Sequence, residues 1–338
     1  MTEVVVVIPN LNGKADLKAC LDSVHAQSVS AKIVVVDNAS KDGSVKFIKK
    51  HYPTVELLIN DRNEGYTGGV NPGMQQAIDE NVTYVVPFNN DAVADKDWLK
   101  HLKHYLDTHP KYGIAASKVL DARGTHIDST GDQFTVWGLP YPRGRGETDV
   151  NKYDDDTEIF AASGAASMYR VAMLKEIGLL DQDFFAYYED VDISFRAQLA
   201  GWKVAFVPEA VVYHNTGATS SKIKGFTTYQ TMKNQPLLLY KNVPRKYLWR
   251  IGWRFTIAHV LFFLKAFTRK QGWAAFTGDM KGTELLFAAR RQRKIIQREK
   301  KVSDEYIWNI ITHDLPPNAY ALRKLRNRWR KMTFRKAI

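Results

Sequence analysis

The first ninety residues alternate short apolar segments with segments of helical periodicity, and this repetition limits the possible folds more than any other feature. The apolar segments are rich in Val and Ile, end in polar residues and span 4–9, 32–40, 55–60 and 83–91. Helical patterns lie between them at 13–27 and 41–53, and 65–80 is predicted to be a Gly-rich loop that leads into a helix. Because continuous apolar strands joined by helices are typical of sheets covered on both faces, the sequence predicts an α/β fold with a mostly parallel sheet.

Polar side chains follow each predicted strand. They are Asn10, Asp37, Asn38, Arg62, Asn63 and Asp91. Ligands of parallel sheets bind beyond the carboxyl ends of the strands. We therefore expect a binding site at this edge of the sheet.

The second half of the chain changes in character twice. A long Gly-, Pro- and charge-rich loop is predicted at 138–156, and its three consecutive acidic residues are expected to be solvated. Further elements are predicted at 163–178, 192–202, 203–208 and 210–214. Beyond about residue 225 the pattern indicates helices that are basic and aromatic.

Charge is distributed unevenly along the 338 residues. Residues 241–338 hold 24 Lys and Arg against 6 Asp and Glu, whereas the first 240 hold 24 against 30. Such a basic segment favours a polyanionic partner, either a nucleic acid or an anionic membrane. Cys20 is the single cysteine, so no internal disulfide can form and a reducing compartment is expected. The segment EVVVVIPN lacks the pattern of a signal peptide, and none is expected.

Several motifs occur in a fixed order along the chain. They are VVVVIPNLNG, IVVVDNASKDGS, NEGYTGGVNPG, FNNDAVADKDWL and the long segment from GAASMYR to AVVYH. This ordered set resembles the family 2 glycosyltransferases of GT-A fold and looks closest to bacterial dTDP-rhamnosyltransferases. The resemblance implies a GT-A catalytic domain at 1–225, with a nucleotide-sugar half at about 1–95 and an acceptor half at about 96–225. A basic, aromatic-rich helical region then occupies 226–338.

The resemblance also assigns the donor site. Its residues are Pro9, Asn10, Asp37, Asn38, Arg62, Asn63, Gly65, Gly68 and Asn90. Asp37 is expected to accept a hydrogen bond from the ring N–H of uracil or thymine, although a helix-capping role is the alternative. Glycines allow close backbone approach to a ligand, and a helix N-terminus favours anions. The implied donor is a dTDP- or UDP-sugar.

The motif YYEDVDISF places three carboxylates just before a predicted helix. Glycosyl transfer needs a base for the acceptor hydroxyl. The resemblance assigns that role to Asp190, with Glu189 as its neighbour. Asp192 is either a helix cap or a partner of Arg196, and capping by all three is the alternative. The predicted acceptor-binding residues are Gly164, Ala165 and Tyr188.

A divalent metal site is expected where the fourth predicted strand ends. The segment NNDAVAD supplies Asp91, and AVVYH supplies His214. The resemblance implies that these two residues hold Mg²⁺ or Mn²⁺, which neutralises the leaving diphosphate. Because Asn89 and Asn90 carry no charge, metal affinity is expected to be weak until the donor binds. A structural role for His214 is the alternative.

The helical region has features of an interfacial helix. Residues 255–264 form an uncharged run that is too short to cross a bilayer. At helical spacing one stripe carries Arg250, Arg254, Lys265 and Arg269. The aromatic residues around it are Trp249, Trp253, Phe262, Phe263 and Phe267. This composition favours an anionic membrane surface, and basic charge continues at 289–301 and 322–331. Packing on the catalytic domain or in a homodimer is the alternative.

Together these features predict an inverting glycosyltransferase. It would move L-rhamnose from dTDP-β-L-rhamnose to a polyprenyl-diphosphate-linked glycan or a polysaccharide in bacterial cell-surface glycan synthesis. It would be cytoplasmic and peripheral on the inner face of the membrane. A galactofuranosyl, glucosyl or N-acetylhexosaminyl donor is the first alternative. A nucleotidyltransferase is less favoured because no Gly-rich activating loop follows the first strand. No nucleic-acid-binding motif is present, so no nucleic-acid partner is expected.

Overall fold

A computed structural model describes residues 3–215 and 223–317, together with residues 319, 323 and 324. The strands are β1 (Val4–Asn10), β2 (Lys32–Asp37), β3 (Glu56–Ile59), β4 (Tyr84–Pro87), β5 (Ala92–Ala94), β6 (Tyr112–Asp121), β7 (Ile127–Ser129), β8 (Asp132–Phe134), β9 (Pro140–Pro142), β10 (Ser167–Arg170) and β11 (Lys203–His214). The helices are α1 (Lys14–His25), α2 (Ser44–His51), α3 (Gly65–Asp79), α4 (Trp98–Thr108), α5 (Val171–Ile177), α6 (Glu189–Leu199), α7 (Phe226–Asn242), α8 (Arg245–Thr268), α9 (Gly272–Glu299) and α10 (Asp304–Ile310).

Within these described ranges a nine-stranded sheet has the order β3-β2-β1-β4-β10-β6-β11-β5, with β7 paired to β6. The pairs β1–β2, β2–β3, β1–β4 and β6–β11 are parallel. β10 is antiparallel to both of its neighbours, and β5 is antiparallel to β11. The predicted α/β fold with a mostly parallel sheet is therefore confirmed.

Burial explains why the first strand is an unbroken apolar run. Val4, Val5, Val6 and Val7 are all fully buried, although successive side chains of a strand point to opposite faces. Val4 and Val6 pack with α1 and α4, whereas Val5 and Val7 pack with α3. The sheet is covered by helices on both faces, which leaves the carboxyl ends of its strands as the open edge.

Some predicted boundaries were wrong. The segments 203–208 and 210–214 form one strand, β11, whose register shifts between Val207 and Val211. Pro208 lies within this shift. Proline has no backbone N–H to donate to a neighbouring strand, so it is tolerated where the ladder of hydrogen bonds is already interrupted. The fourth strand ends at Pro87, so Asp91 lies in the turn before β5. α6 starts at Glu189 rather than at residue 192.

The helical region packs on the α/β sheet domain. One hydrophobic core joins Phe134, Phe160 and Phe195 to Leu238 of α7, Ile251 of α8 and other residues of the helical region. This contact agrees with the packing alternative for part of the basic region. The division at residue 225 stays a prediction, and most of 322–331 lies outside the described residues.

α7 and α9 approach each other closely at two glycines. A Cβ atom on Gly278 would lie 2.4 Å from the carbonyl oxygen of Tyr229, and one on Gly282 would lie 2.8 Å from that of Lys233. Real Cβ atoms do not come this near to backbone. The two helix backbones are therefore in direct contact along this seam.

The outer sides of α8 and α9 carry a row of exposed large hydrophobic residues, which we call the apolar face. It consists of Trp249, Trp253, Ile257, Val260, Leu264, Phe267, Trp273, Phe276, Met280 and Phe287. Trp249 is 81% exposed and Trp273 is 76% exposed. None of the helices in the described part of the chain is long and apolar enough to cross a membrane.

Candidate active site

The ends of β1 and β2 form the predicted donor edge. Asn10 and Asp37 lie opposite each other in the parallel register. The Asn10 amide donates to Asp37 at 2.8 Å and to the Ser40 hydroxyl at 3.1 Å, and the Asn90 amide donates to Asn10 at 2.8 Å. Asp37 also accepts from the backbone N–H of Ser40 at 2.8 Å, so it shapes the turn after β2 and does not cap α2. Asp37 is fully buried, and its contact with a nucleobase stays a prediction.

The glycine-rich segment is the first turns of α3 and not a loop before it. Gly65 has a φ of 73° and leaves no room for a side chain, since a Cβ would lie 2.3 Å from the Phe185 carbonyl oxygen. Asn38 donates to the Gly65 carbonyl at 2.9 Å, and Asn63 accepts from the Gly65 N–H at 2.9 Å. These bonds fix the N-terminus of α3 against β2.

The other predicted donor residues are arranged as follows. Pro9 is the last residue but one of β1 and lies under α3, where a Cβ on Gly69 would lie 2.9 Å from the Pro9 Cβ. Gly68 N–H donates to the Glu64 carbonyl within the helix. Arg62 is exposed and pairs with Glu64 at 2.8 Å. Its side chain therefore lies outside the polar network of Asn10 and Asp37, and its donor contact stays a prediction.

The predicted metal ligands meet at the same edge. His214 Nε2 lies 3.1 Å from Asp91, and His214 Nδ1 lies 2.9 Å from Asp128. Burial opposes protonation of His214, but the carboxylates of Asp128 and Asp91 outweigh it and raise the pKa of His214 to about 9. A carboxylate on Nδ1 turns Nε2 towards Asp91, and this orientation is common for metal-binding histidines.

This donor set fits a divalent cation that has few protein ligands. Asp91 offers a carboxylate and His214 an imidazole, which together suit Mn²⁺ or Mg²⁺. Within the described residues no group of three or more His, Cys, Asp or Glu side chains could hold a metal. A metal here would need further ligands from the substrate, and the metal site stays a prediction.

Three carboxylic acids form what we call the acid cluster: Asp132, Glu189 and Asp190. Burial raises the pKa of Asp190, and the backbone N–H of Gly164, 2.8 Å away, opposes that rise. Burial and then Asp190 raise the pKa of Glu189 well above its usual range. The same two causes raise the pKa of Asp132 to about 7. The cluster thus holds a carboxylate poised to accept a proton near neutral pH.

Neighbouring groups join the acid cluster to the metal ligands. Arg145 pairs with Asp128 at 2.9 Å, and its charge also lowers the pKa of Asp132 and Asp190. The Ser129 hydroxyl donates to Asp132 at 3.3 Å. The predicted base, Asp190, and the predicted metal ligands therefore lie in one connected group of polar residues.

A family model described as Glycosyltransferase like family 2 matches residues 2–228, about two thirds of the chain. The chain belongs to the family 2 glycosyltransferases. Its family and its enzyme class, predicted from the ordered motifs, are confirmed.

Curated relatives of this glycosyltransferase include several sugar transferases. The low-salt glycan biosynthesis hexosyltransferase Agl10 of Haloferax volcanii is 24% identical over 237 residues, which cover 68% of this chain and 73% of the relative. The N-acetylglucosaminyl-diphospho-decaprenol L-rhamnosyltransferase of Mycobacterium tuberculosis is 26% identical over 209 residues, 56% of this chain and 68% of the relative. Rhamnosyltransferase WbbL of Escherichia coli is 24% identical over 250 residues, 68% of this chain and 92% of the relative.

Solved structures confirm the GT-A fold. S. aureus TarS 1–349 in complex with UDP has a TM-score of 0.55 at 17% identity, covering 88% of this chain and 89% of that one. The mannosyltransferase PcManGT from Pyrobaculum calidifontis, in complex with GDP-Man and Mn²⁺, has a TM-score of 0.52 at 14% identity, covering 91% and 85%.

The predicted acceptor residues of the glycosyltransferase surround Asp190. Gly164 holds Asp190 through its N–H and accepts a hydrogen bond from Tyr66 through its carbonyl oxygen. The Ala165 carbonyl accepts from the Asn89 N–H at 3.0 Å. The Tyr188 hydroxyl accepts from Gln235 at 3.1 Å. They bring the ends of β4 and α6 together, and their contact with an acceptor stays a prediction.

The segment before the predicted catalytic pair, Glu189 and Asp190, is strained and is held by α7. Phe185, Tyr187 and Tyr188 have φ values of 63°, 69° and 72°, which side chains other than glycine rarely adopt. The Asn234 amide donates to the carbonyls of residues 184, 186 and 187 at 2.9, 2.9 and 2.8 Å. Lys233 donates to the carbonyls of residues 183 and 184 at 2.8 and 3.1 Å.

The partners of Asp192 are residues outside the acid cluster. It binds Arg196 at 2.9 Å and Asn242 at 2.7 Å, and it pairs with Lys241 at 3.0 Å. The partner alternative for Asp192 is therefore the correct one. Two of the three consecutive acidic residues that were predicted to be solvated also form ion pairs. Asp154 pairs with the buried Lys118, and Asp156 pairs with the buried Arg143.

Sequence reasoning missed Asp128, Asp132, Arg145, Lys233 and Asn234. The first three lie on short strands and turns, where no periodic pattern draws attention to them. For α7 a signal existed: Lys233, Asn234 and Gln235 interrupt the apolar side of a helix, and all three are buried. Buried polar residues in a helix indicate partners elsewhere in the chain.

Proposed function

We propose that this glycosyltransferase transfers L-rhamnose from dTDP-β-L-rhamnose to a lipid-linked acceptor, with inversion, in bacterial cell-surface glycan synthesis. The observation that carries the chemistry is Asp190, held by the Gly164 N–H in the first turn of α6 with a raised pKa. The sugar is supported by relatives named as rhamnosyltransferases in M. tuberculosis, Shigella flexneri and E. coli. The M. tuberculosis relative is named for a decaprenol-diphosphate acceptor, which supports the acceptor class.

The reaction would be a single in-line displacement. The Asp190 carboxylate takes the proton of the acceptor hydroxyl, and the hydroxyl oxygen bonds to the anomeric carbon of the donor sugar. The bond from that carbon to the diphosphate oxygen breaks, and the electron pair leaves with the nucleoside diphosphate. Attack opposite the leaving group inverts the anomeric centre.

The remaining site residues would bind the donor and stabilise the leaving group. Asn10, Asp37 and Asn38 would contact the nucleotide at the ends of β1 and β2. Mg²⁺ or Mn²⁺ held by Asp91 and His214 would neutralise negative charge on the departing diphosphate. The structures of PcManGT and GalNAc-T7 contain Mn²⁺, which supports a divalent metal.

A donor panel tests the reaction. The protein is incubated with Mn²⁺ or Mg²⁺, a glycosyl-diphosphate-polyprenol and one nucleotide sugar at a time. Release of dTDP from dTDP-rhamnose, with rhamnose appearing on the lipid, is the expected result. Transfer only from a galactofuranosyl, glucosyl or N-acetylhexosaminyl donor would refute the sugar, and pyrophosphate release from a nucleoside triphosphate with a sugar phosphate would indicate a nucleotidyltransferase.

We also propose that the apolar face docks on the anionic inner face of the cell membrane. Tryptophans and other large hydrophobic side chains are exposed along two neighbouring helices, which suits insertion at the level of lipid headgroups. Arg250 and Lys265 are exposed on α8, and Arg290, Arg291 and Lys294 are exposed on α9. Lipid headgroups of negative charge complement these residues.

Vesicle sedimentation tests the docking surface. Trp249→Ser combined with Trp273→Ser should abolish co-sedimentation with vesicles that contain anionic lipid. Ile59→Ser is the matched control, since Ile59 is an exposed hydrophobic residue on β3, outside the apolar face. Sedimentation that the double variant retains would refute membrane docking. If the face instead joins two copies, the wild type will have twice the chain mass in solution and the double variant will not.

A further inference from the structure

An apolar groove of about 640 Å³, open to solvent along one side and called the cavity below, lies where α7, α8 and α9 meet. Its lining includes Pro236, Leu239, Trp253, Phe255, Ile257 and Leu286. Trp249 and Trp253 belong to both this lining and the apolar face, so the cavity opens onto that face. Pockets of this size hold molecules or segments of drug-like size.

The lining decides which chemistry the cavity can take. A polar ligand would lose its hydrogen bonds to water in such surroundings, whereas a hydrocarbon chain gains free energy for each methylene that it buries. At the rim, the Arg254 guanidinium lies 4.6 Å from the centre of the Trp253 ring. The combination suits an amphiphile with a hydrocarbon tail and an anionic head.

The turn between β8 and β9 links this cavity to the acid cluster. Gly138 of this turn has a φ of 67° and lies against the cavity lining. A Cβ added to it would lie 2.6 Å from Leu239 and 3.2 Å from Phe255, and both of those residues line the cavity. The rings of Trp137 and Trp253 are 6.4 Å apart. Asp132, whose pKa responds to the charge of Asp190, is the first residue of β8, the strand that leads into this turn. The five residue steps from Asp132 to Trp137 span at most about 18 Å.

We propose that the cavity binds the hydrocarbon chain of the lipid-diphosphate acceptor, next to the diphosphate. This inference rests on the lipid-linked acceptor of the proposed function. The tail enters from the apolar face, the diphosphate lies at the rim near Arg254, and the sugar hydroxyl reaches Asp190. The cavity holds one segment of the chain, and the rest remains in the bilayer.

A substitution at Gly252 can fill part of the cavity. It lines the cavity, and a Cβ placed on it would meet no atom within 4 Å. Gly252→Phe therefore adds its Cβ without a clash and carries a ring at the cavity lining, far from the acid cluster in sequence. Gly252→Ala is the matched control, because it also replaces the helix glycine by a residue of higher helix propensity and leaves most of the cavity open.

The kinetic test compares two acceptors with the same glycosyl diphosphate, one on a decaprenyl chain and one on an ethyl group, in detergent micelles. We expect Gly252→Phe to raise the KM for the decaprenyl acceptor on the order of tenfold. The kcat and the kinetics with the ethyl acceptor should not change, and Gly252→Ala should behave as wild type. Equal KM values for Gly252→Phe and wild type with the decaprenyl acceptor would overturn the proposal.

A binding test separates this inference from the reaction itself. In the absence of donor, 11-bromoundecyl phosphate should quench tryptophan fluorescence saturably in wild type and in Gly252→Ala, but not in Gly252→Phe. Quenching that Gly252→Phe retains would refute the cavity as the tail site. Saturable quenching without sugar transfer to any acceptor would leave the cavity proposal standing and reject the proposed function. If a second copy fills the cavity, wild type will be dimeric and Gly252→Phe monomeric, which also overturns it.

Discussion

Asn234 lies on α7, outside the matched family segment, yet it supports the segment that leads into the predicted catalytic pair, Glu189 and Asp190. Its amide carries two N–H groups, and it donates to the carbonyls of Phe184, Ala186 and Tyr187. These carbonyls belong to the strained segment that runs into Glu189 and Asp190. Asn234→Ala removes both N–H donors, so the carbonyls of Ala186 and Tyr187 lose this partner, whereas the Phe184 carbonyl keeps Lys233.

The cost can be worked from these contacts. A buried polar group without a hydrogen bond costs about 1–3 kcal/mol, so two such groups should lower the free energy of unfolding by about 2–6 kcal/mol. Residues held at positive φ store about 1–3 kcal/mol each, and that strain favours relaxation of the segment once the amide is gone. Because a displacement of about 1 Å can cost 100-fold in rate, kcat should fall by about 10- to 100-fold.

Urea unfolding and steady-state kinetics measure the two effects on the same preparation. Gln75→Ala is the control, because Gln75 is an exposed amide on α3 that donates to Asp79. Its unfolding free energy should change by less than about 0.5 kcal/mol. If Asn234→Ala matches that control in stability and keeps the wild-type kcat, the support role of α7 is wrong.

The other predictions concern the acid cluster and the metal ligands. Asp190→Asn should abolish transfer while calorimetry shows unchanged donor binding, and near-normal turnover would mean that another residue is the base. Because the charge of Asp190 helps to raise the pKa of Asp132, Asp190→Asn should lower the pKa of Asp132 from about 7, as followed by NMR titration, and an unchanged pKa would contradict this coupling. The folded pKa of Asp132 is about 7, above the 3.8 of the unfolded chain, so between these two pH values the folded state binds more protons than the unfolded state. The stability of the wild type should therefore fall as the pH rises from 3.8 to about 7. Asp132→Asn should lose this pH dependence, as measured by urea unfolding at a series of pH values. Mn²⁺ binding, followed by electron paramagnetic resonance, should be weak in the free protein, rise when dTDP-sugar is present and vanish in His214→Ala; strong binding without donor would contradict the two-ligand site.

The sheet and the positions of its first strands along the chain could be predicted because their signal is local. Runs such as VVVVIP and KIVVVD are apolar on both sides, and only a strand covered on both faces requires that. The position of Asp190 near a helix start was also available from the sequence. The start of α6 itself was predicted three residues late, because Tyr188 occupies a left-handed conformation that its side chain does not suggest.

Long-range partners were not available from the sequence. His214 was predicted with Asp91, but Asp128, which orients the ring, comes from β7, a strand of three residues without a pattern. The role of Asn234 depends on carbonyls about fifty residues earlier, and no spacing rule relates the two segments. Resemblance supplied the roles of matched residues and could say nothing about α7, since its motifs end before that helix.

The glycine seam between α7 and α9 has a consequence for how such enzymes diverge. The inward side of α9 is fixed, because any side chain larger than hydrogen at Gly278 or Gly282 would push α7 and, through Asn234, the catalytic segment. The outward side, with Phe276 and Met280, touches none of this and is exposed. Substitutions on the outer side can therefore change its hydrophobicity, and with it the proposed membrane docking, without moving the segment that Asn234 holds.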